Sequence, residues 1–291
     1  MTVGIFGTVL VVLAVLVIVL ISVTGNKTTT KPGLGDGMKI APAAVVNAIK
    51  NVSPATFAAA GSATNSTYGP FPNEFTYIKK LSGLTAGGKP EIVYVGANWC
   101  PYCAGTRWPL AVALSRFGTF TGLHITASSS TDSYPSTPTL SFYGSTYTSP
   151  YITFSYGELC TNVASSSDSV AVRECNGYLP LQHLSKTAAK IFDKYDAPPC
   201  VPTSTDDGSF PFIDFGNKAF ECGAFINPAI LGGFTQLQVA QSLSNPLASP
   251  AQTILVGANF YSAVICSLTG DQPKSVCTLP VVKQAAAQLK L

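Results

Sequence analysis

Apolar and polar positions along this chain fall into a succession of distinct patterns. Residues 3–23 are an uncharged apolar run, close to the roughly 20 residues a helix needs to cross a bilayer. Residues 26–37 carry Gly, Pro and Thr without apolar periodicity and read as a flexible tether. From Pro42 the spacing turns helical, with Val45, Val46 and Ile49 on one face. Ser53-Pro54 then has the form of an N-cap followed by proline at the first helical position. A polar loop covers 61–72, and 75–81 reads as an outer strand. Residues 91–97 are an apolar, β-branched run, the pattern of a buried strand. That run leads to Cys100-Pro101-Tyr102-Cys103 and to a helical pattern with a broad apolar face. The helix extends from Pro101 to about Phe117, is closed by Gly118, and is expected to kink at Pro109.

Further along, 121–127 reads as a strand and 128–138 as a polar loop. The alternating runs 139–143 and 151–156 are expected to pair as a hairpin. The Ser-rich stretch 164–169 reads as a surface loop, and 184–195 as an amphipathic helix. Residues 210–220 predict strand, Gly216-Asn217 turn, strand. Then come a helix from 227 to 242 broken at Gly232-Gly233, a strongly apolar helix over 250–268, and a short one over 279–291. Strands mixed with helices predict an α/β chain: a transmembrane anchor at 1–24, a linker at 25–40, and one domain at 41–291 with an insertion at about 128–207.

Composition changes this picture in two respects. Charged residues are only 11% of the 291, with net charge +3. No basic run could track a phosphate backbone, so nucleic acid is not an expected partner. The surface must instead be covered by hydroxyls and amides, as in chains that face the outside. Near the apolar run the cations Lys27, Lys31 and Lys39 all follow the span, which by the positive-inside rule would place the domain in the cytoplasm. The hydroxyl-rich composition, the cysteines and the glycosylation sequons at Asn26, Asn51 and Asn65 favour the extracytoplasmic side, which is the reading adopted. The segment before the run lacks Lys and Arg, the run is long, and no clean cleavage site follows Val23. A retained single-pass anchor in contact with membrane lipid is therefore expected rather than a cleaved signal.

The eight cysteines are the second change. Cys100 falls at a helix N-terminus, where unpaired backbone N–H groups and the positive dipole end favour a thiolate. Cys103 lies one turn into the helix as the more buried thiol. The other six pair most simply with their neighbours, Cys160–Cys175, Cys200–Cys222 and Cys266–Cys277, because each pair brackets a local loop or hairpin. Free buried thiols are the alternative, and an even set suits an oxidising compartment. Arg107, one turn beyond Cys103, would either add positive potential near the dithiol or be a solvated helix residue. Tyr94 and Trp108 read as core. A zinc site commonly needs two Cys-x-x-Cys pairs and there is one. His124 reads as a strand residue and His183 as an exposed loop residue, so neither metal nor cofactor is expected.

Trp99-Cys100-Pro101-Tyr102-Cys103 at a strand-to-helix junction resembles the thioredoxin superfamily. Ser209-Phe210-Pro211-Phe212-Ile213-Asp214 before a hairpin is similar to that family's cis-proline loop. About a hundred residues separate Cys103 from Pro211, which suits the DsbA-like branch with its insertion. The resemblance implies a thioredoxin-like central mixed sheet flanked by helices. It also implies substrate contact through Trp99, Phe210 and Pro211, where substrate backbone pairs like an added strand. Pro138, within Ser136-Thr137-Pro138-Thr139, is a second cis-proline candidate; Pro211 is preferred because the hairpin and helix after it complete the fold. Phe210 departs from the family, whose redox-active members usually carry a small or β-branched residue there. More closely, the chain resembles an uncharacterised group of membrane-anchored proteins from thermoacidophilic archaea. They share Cys-Pro-Tyr-Cys-Ala with a following Arg-Trp, Ala-Leu-Ser-Arg-Phe-Gly, the Pro-Phe-Ile-Asp loop and the C-terminal cysteine pair.

Two function classes follow. One is a membrane-tethered oxidoreductase in which Cys100 exchanges with disulfides of exported proteins and Cys103 resolves the mixed disulfide, with a membrane redox partner possible. The other is a redox-inactive cell-surface binding or structural protein that kept the fold.

Overall fold

The computed structural model describes residues 37–62, 75–206 and 208–291. The apolar run 3–23, nearly all of the tether and the sequons at Asn26 and Asn65 lie outside those residues. Asn51 is exposed at the end of the helix Ala43–Lys50.

The described residues form an α/β structure with nine α-helices and a six-stranded mixed sheet at its centre. The middle strand is Lys89–Gly96, fully buried from Ile92 onward. On one side it pairs in parallel with Thr153–Glu158, register Glu91↔Thr153 to Gly96↔Glu158. On the other it pairs antiparallel with Phe212–Phe215, register Phe212↔Val95 to Phe215↔Ile92. Ala219–Cys222 follows antiparallel and Phe75–Thr76 closes that edge. A strand buried on both faces needs apolar residues at consecutive positions rather than alternation, which is why the middle strand reads Ile-Val-Tyr-Val.

The two faces carry separate cores. Ile92, Tyr94, Ile213 and Phe215 face the helices Pro101–Leu114 and Ala251–Leu268, while Val93, Val95, Phe212 and Phe220 face Lys186–Tyr195. Ala251–Leu268 is long and apolar enough to cross a membrane, but it is 83% buried inside the protein. It packs along Pro101–Leu114, and Gly257 allows the approach: a Cβ there would meet Pro109 Cβ at 3.0 Å and the Phe225 ring at 2.7 Å. Pro101–Leu114 continues through Pro109 as one helix.

Local chemistry accounts for the element ends. Ser53 caps Pro54–Ala60 by accepting from the Thr56 N–H. Gly216 and Asn217 both take positive φ, 63° and 58°, in the three-residue loop 216–218 between the paired residues Phe215 and Ala219. The apolar stretch 227–242 divides at Gly232-Gly233 into a 3-10 turn, Pro228–Leu231, and a helix, Gln236–Ser242. The second has a reciprocal cap between Thr235 and Gln238.

Three sequence expectations are corrected. Residues 121–127 are not one strand: Gly122, at φ 72°, separates Thr119–Thr121 from His124–Ala127, and the two join different sheets. The runs 139–143 and 151–156 do not pair as a hairpin. Pro138–Ser141 pairs with His124–Ala127, and Thr153–Glu158 joins the central sheet, so part of 128–207 belongs to the fold's main sheet. Alternation specifies a strand but not its partner. Of 75–81, only Phe75–Thr76 is strand.

The central sheet also holds a buried acid pair, which forms no ion pair among the described residues. Asp214 lies opposite Val93 and so shares a face with Glu91 and Ser155. Ser155 donates to Glu91, and the Asn217 N–H donates to Asp214 Oδ1 at 2.6 Å. Burial, with added repulsion from Glu91, pushes the Asp214 pKa up to about 7 against the pull of the Asn217 bond. An unfolded aspartate ionises near pH 4. Between about pH 4 and 7 the folded state therefore holds a proton that the unfolded state has lost, and stability falls as pH rises through that window. Asp214→Asn should be more stable than the parent above pH 7, by on the order of a few kcal/mol, with the difference vanishing near pH 4. Denaturant unfolding across a pH series measures it.

Candidate active site

Cys100 is the N-cap of Pro101–Leu114, and its sulfur accepts the Cys103 backbone N–H at 3.2 Å. The two cysteines lie close together as unbonded thiols, both buried at 3% and 0% exposure. Cys100 is the less buried of the two, by a small margin. Across from it runs the Phe210–Pro211 peptide, which is cis, and the Cys100 thiol points at the Phe210 carbonyl oxygen, 3.9 Å away. Pro138 is placed elsewhere: it starts a buried strand, and its carbonyl accepts the Trp108 indole N–H at 3.0 Å.

Beneath the dithiol lies a charge arrangement that sequence reading missed. Arg107 and Glu158 are both 0% exposed and form a two-pronged ion pair, Nε to Oε1 at 2.9 Å and Nη2 to Oε2 at 2.6 Å. Nη2 also donates to the Ala97 carbonyl at 2.8 Å, in the segment between the middle strand and Cys100. Glu158 Oε1 further accepts the Phe142 N–H at 3.0 Å. Arg107 is thus a structural centre and not a solvated helix residue. The signal was present: 103–114 is apolar around its whole circumference, so the helix is buried on every side and any cation on it must be buried with a partner. Nothing in the sequence marked Glu158 as that partner.

Burial alone would raise the Cys100 pKa. Hydrogen bonds from the Cys103 thiol and backbone N–H, together with the Arg107 charge, outweigh it and hold the thiol below its ordinary range. Cys103 moves the opposite way, well up, because it is fully buried and its proton serves Cys100. The two thiols therefore differ in acidity, with Cys100 the readier to ionise. Tyr94 packs behind them, with Arg107 5.8 Å from its ring centre. Gly96 is required at this point, since a Cβ would fall 2.2 Å from the Tyr94 hydroxyl oxygen and 3.2 Å from Cys103 Sγ.

An open cleft of about 590 Å³ leads to Cys100, lined by Trp99, Tyr102, Tyr178, Phe210 and polar residues of three segments. Trp99 stacks on Tyr178, centroids 5.3 Å apart and planes 7° apart, and meets Phe210 edge-on at 6.3 Å. Tyr178 lies just after the segment closed by Cys160–Cys175, in a strand paired to it, and the two together form a cleft wall: Cys160–Ala164 pairs antiparallel with Tyr178–Pro180. The Tyr178 hydroxyl bonds Ser129 Oγ at 2.8 Å, and the Ser129 N–H donates to the Trp99 carbonyl at 3.0 Å, so both loops brace the tryptophan. Cys200–Cys222 and Cys266–Cys277 are the other two bridges, each joining neighbouring cysteines. Among the described residues no group of His, Cys, Asp and Glu is arranged to hold a metal ion.

A family model described as a domain of unknown function, DUF929, matches residues 77–267. The chain belongs to this family. The matched span contains the middle strand, the dithiol, Arg107, Glu158 and the Phe210–Pro211 loop. No curated protein and no solved structure matches the chain.

Arg107→Met should leave Glu158 buried and unpaired, costing about 3–5 kcal/mol, and should raise the Cys100 pKa by removing the nearby cation. The double variant Arg107→Met/Glu158→Leu should recover most of the stability but not the low pKa. Denaturant unfolding reads the first quantity, and the pH dependence of alkylation by iodoacetamide the second. Removing the wall's bridge by Cys160→Ala/Cys175→Ala should cost about 3 kcal/mol and change Trp99 fluorescence as the Tyr178 stack loosens.

Proposed function

We propose that this DUF929 chain is a thiol–disulfide oxidoreductase of thioredoxin-like architecture, tethered to the membrane through 3–23 with its domain on the extracytoplasmic side. The observation that carries the reading is the placement of Cys100. It is a helix N-cap with a lowered pKa, one turn from a second thiol, and it faces the carbonyl of the residue before Pro211. The strand order supports it. A middle strand running into a dithiol helix, flanked by a parallel strand on one side and by an antiparallel hairpin after a proline loop on the other, is the arrangement the thioredoxin resemblance implies. Three disulfides suit an oxidising compartment.

In the reaction, the Cys100 thiolate attacks one sulfur of a substrate disulfide. A Cys100–substrate S–S bond forms and the substrate's own S–S bond breaks, its other sulfur leaving as a thiolate that takes a proton from solvent. Cys103 loses its proton, attacks Cys100 Sγ and releases the second substrate thiol, leaving Cys100–Cys103 oxidised. Run backwards, the same steps donate a disulfide. Trp99, Phe210 and Pro211 form the contact surface beside the reacting sulfur.

The burial of Cys100 favours a second reading, a cell-surface binding protein that kept the fold with its dithiol closed as a structural bridge. Insulin reduction and refolding of a scrambled disulfide protein separate the two. Activity lost in Cys100→Ser, with a trapped mixed disulfide in Cys103→Ser, is the expected outcome. No turnover in either assay, with a dithiol inert to mild reductant, would establish the second reading. A membrane-impermeant thiol reagent should label the reduced protein on intact cells; labelling only after lysis would place the domain inside.

A further inference from the structure

The cleft over Cys100 has a charge character opposite to that of the chain. The protein carries net charge +3, yet the charged side chains lining the cleft are two carboxylates, Asp132 and Glu174, with no Lys, Arg or His among its walls. They come from separate segments: Asp132 from the loop between His124–Ala127 and Pro138–Ser141, Glu174 from the segment closed by Cys160–Cys175. Among the described residues neither forms an ion pair. The adjacent Arg173 is paired with Asp168 at 2.8 Å, and Arg107 is locked below the site on Glu158. The rest of the lining is rich in aromatic faces, with Tyr102 41% exposed at the mouth. A Cys100 thiolate would add a third negative charge.

From this we propose that the cleft selects disulfide-bearing polypeptide segments with a basic residue and an aromatic residue flanking the reactive cysteine, and disfavours anionic disulfides; the inference rests on the oxidoreductase reading above. The basic residue is drawn by Asp132 and Glu174, and the aromatic ring extends the surface of Trp99, Tyr178 and Phe210. The polypeptide, not a small cation, is the favoured occupant because charge and aromatic surface are offered side by side along an open cleft rather than in a closed pocket. The bond change is the first exchange step: the Cys100 thiolate forms an S–S bond to the peptide cysteine as the peptide's own disulfide breaks, and the departing thiolate is protonated by water.

The test measures second-order rate constants for the reduced full-length protein, carrying Cys103→Ser, with symmetrical disulfides of three short peptides: Phe-Cys-Arg, Ala-Cys-Arg and Phe-Cys-Glu, each blocked at both ends. At low salt Phe-Cys-Arg should react about tenfold or more faster than Phe-Cys-Glu, and severalfold faster than Ala-Cys-Arg. The Arg-to-Glu ratio should shrink as salt is raised, and should approach one in Asp132→Asn/Glu174→Gln. Equal rates for the Arg and Glu peptides, or a ratio unchanged in the double variant, overturn this inference while leaving the oxidoreductase reading intact. A thiol that reacts with none of the peptides overturns both.

Discussion

The ion pair between Arg107 and Glu158 is the contact on which the centre of this structure depends. It joins three parts of the chain with side-chain bonds: the dithiol helix, the end of the parallel strand Thr153–Glu158, and the Ala97–Asn98 segment that delivers Cys100. The two fully buried charges are held by a two-pronged pairing, with further bonds from Arg107 Nη2 to Ala97 and from the Phe142 N–H to Glu158, while Arg107 Nη1 has no partner among the described residues. The same guanidinium that holds the segment in place supplies positive potential to the thiols above it. Position and reactivity of the dithiol therefore share one cause.

Around that centre the fold places layers with different tasks. The helices Pro101–Leu114 and Ala251–Leu268 and the sheet between the two cores are apolar and closely packed, which fixes the dithiol helix against the middle strand. The loops over Cys100 are largely polar, and they are held by hydrogen bonds, a disulfide and a small cluster of their own in which Trp99, Tyr178 and Phe210 pack against Cys100, Cys160 and Cys175. This division lets the walls of the cleft differ in chemistry without disturbing what positions the sulfurs. It also gives the excess of Ser and Thr a function: Ser129, Ser128 and Thr137 tie loop backbone and side chains together where apolar burial is limited.

Much of this was legible before any coordinates. The β-branched run into a Cys-x-x-Cys, the Ser53 and Pro54 start, the Gly216-Asn217 turn and the Gly232-Gly233 break each follow from rules that act within a few residues, and all stand where those rules put them. Two features differ from the local reading, each for its own reason. Arg107 was weighed as a single charged residue when its apolar neighbours on every side already required burial. The runs 139–143 and 151–156 are close in sequence and both alternate, which suggests a hairpin, whereas the second runs on to Glu158, the acid that pairs with Arg107, in the central sheet.

By itself the sequence determined the local geometry: where the middle strand ends, that Cys100 caps a helix, and that three pairs of neighbouring cysteines lie near enough along the chain to close. These depend on capping, turn conformation and short loops, whose energies are decided by residues close together. The tertiary structure alone decided which strand lies beside the dithiol, which acid meets Arg107 fifty-one residues away, and that Cys100 is buried under Phe210. Those outcomes come from packing between distant segments, where a strand's alternation or a lone glutamate is compatible with many partners and only the assembled core selects one.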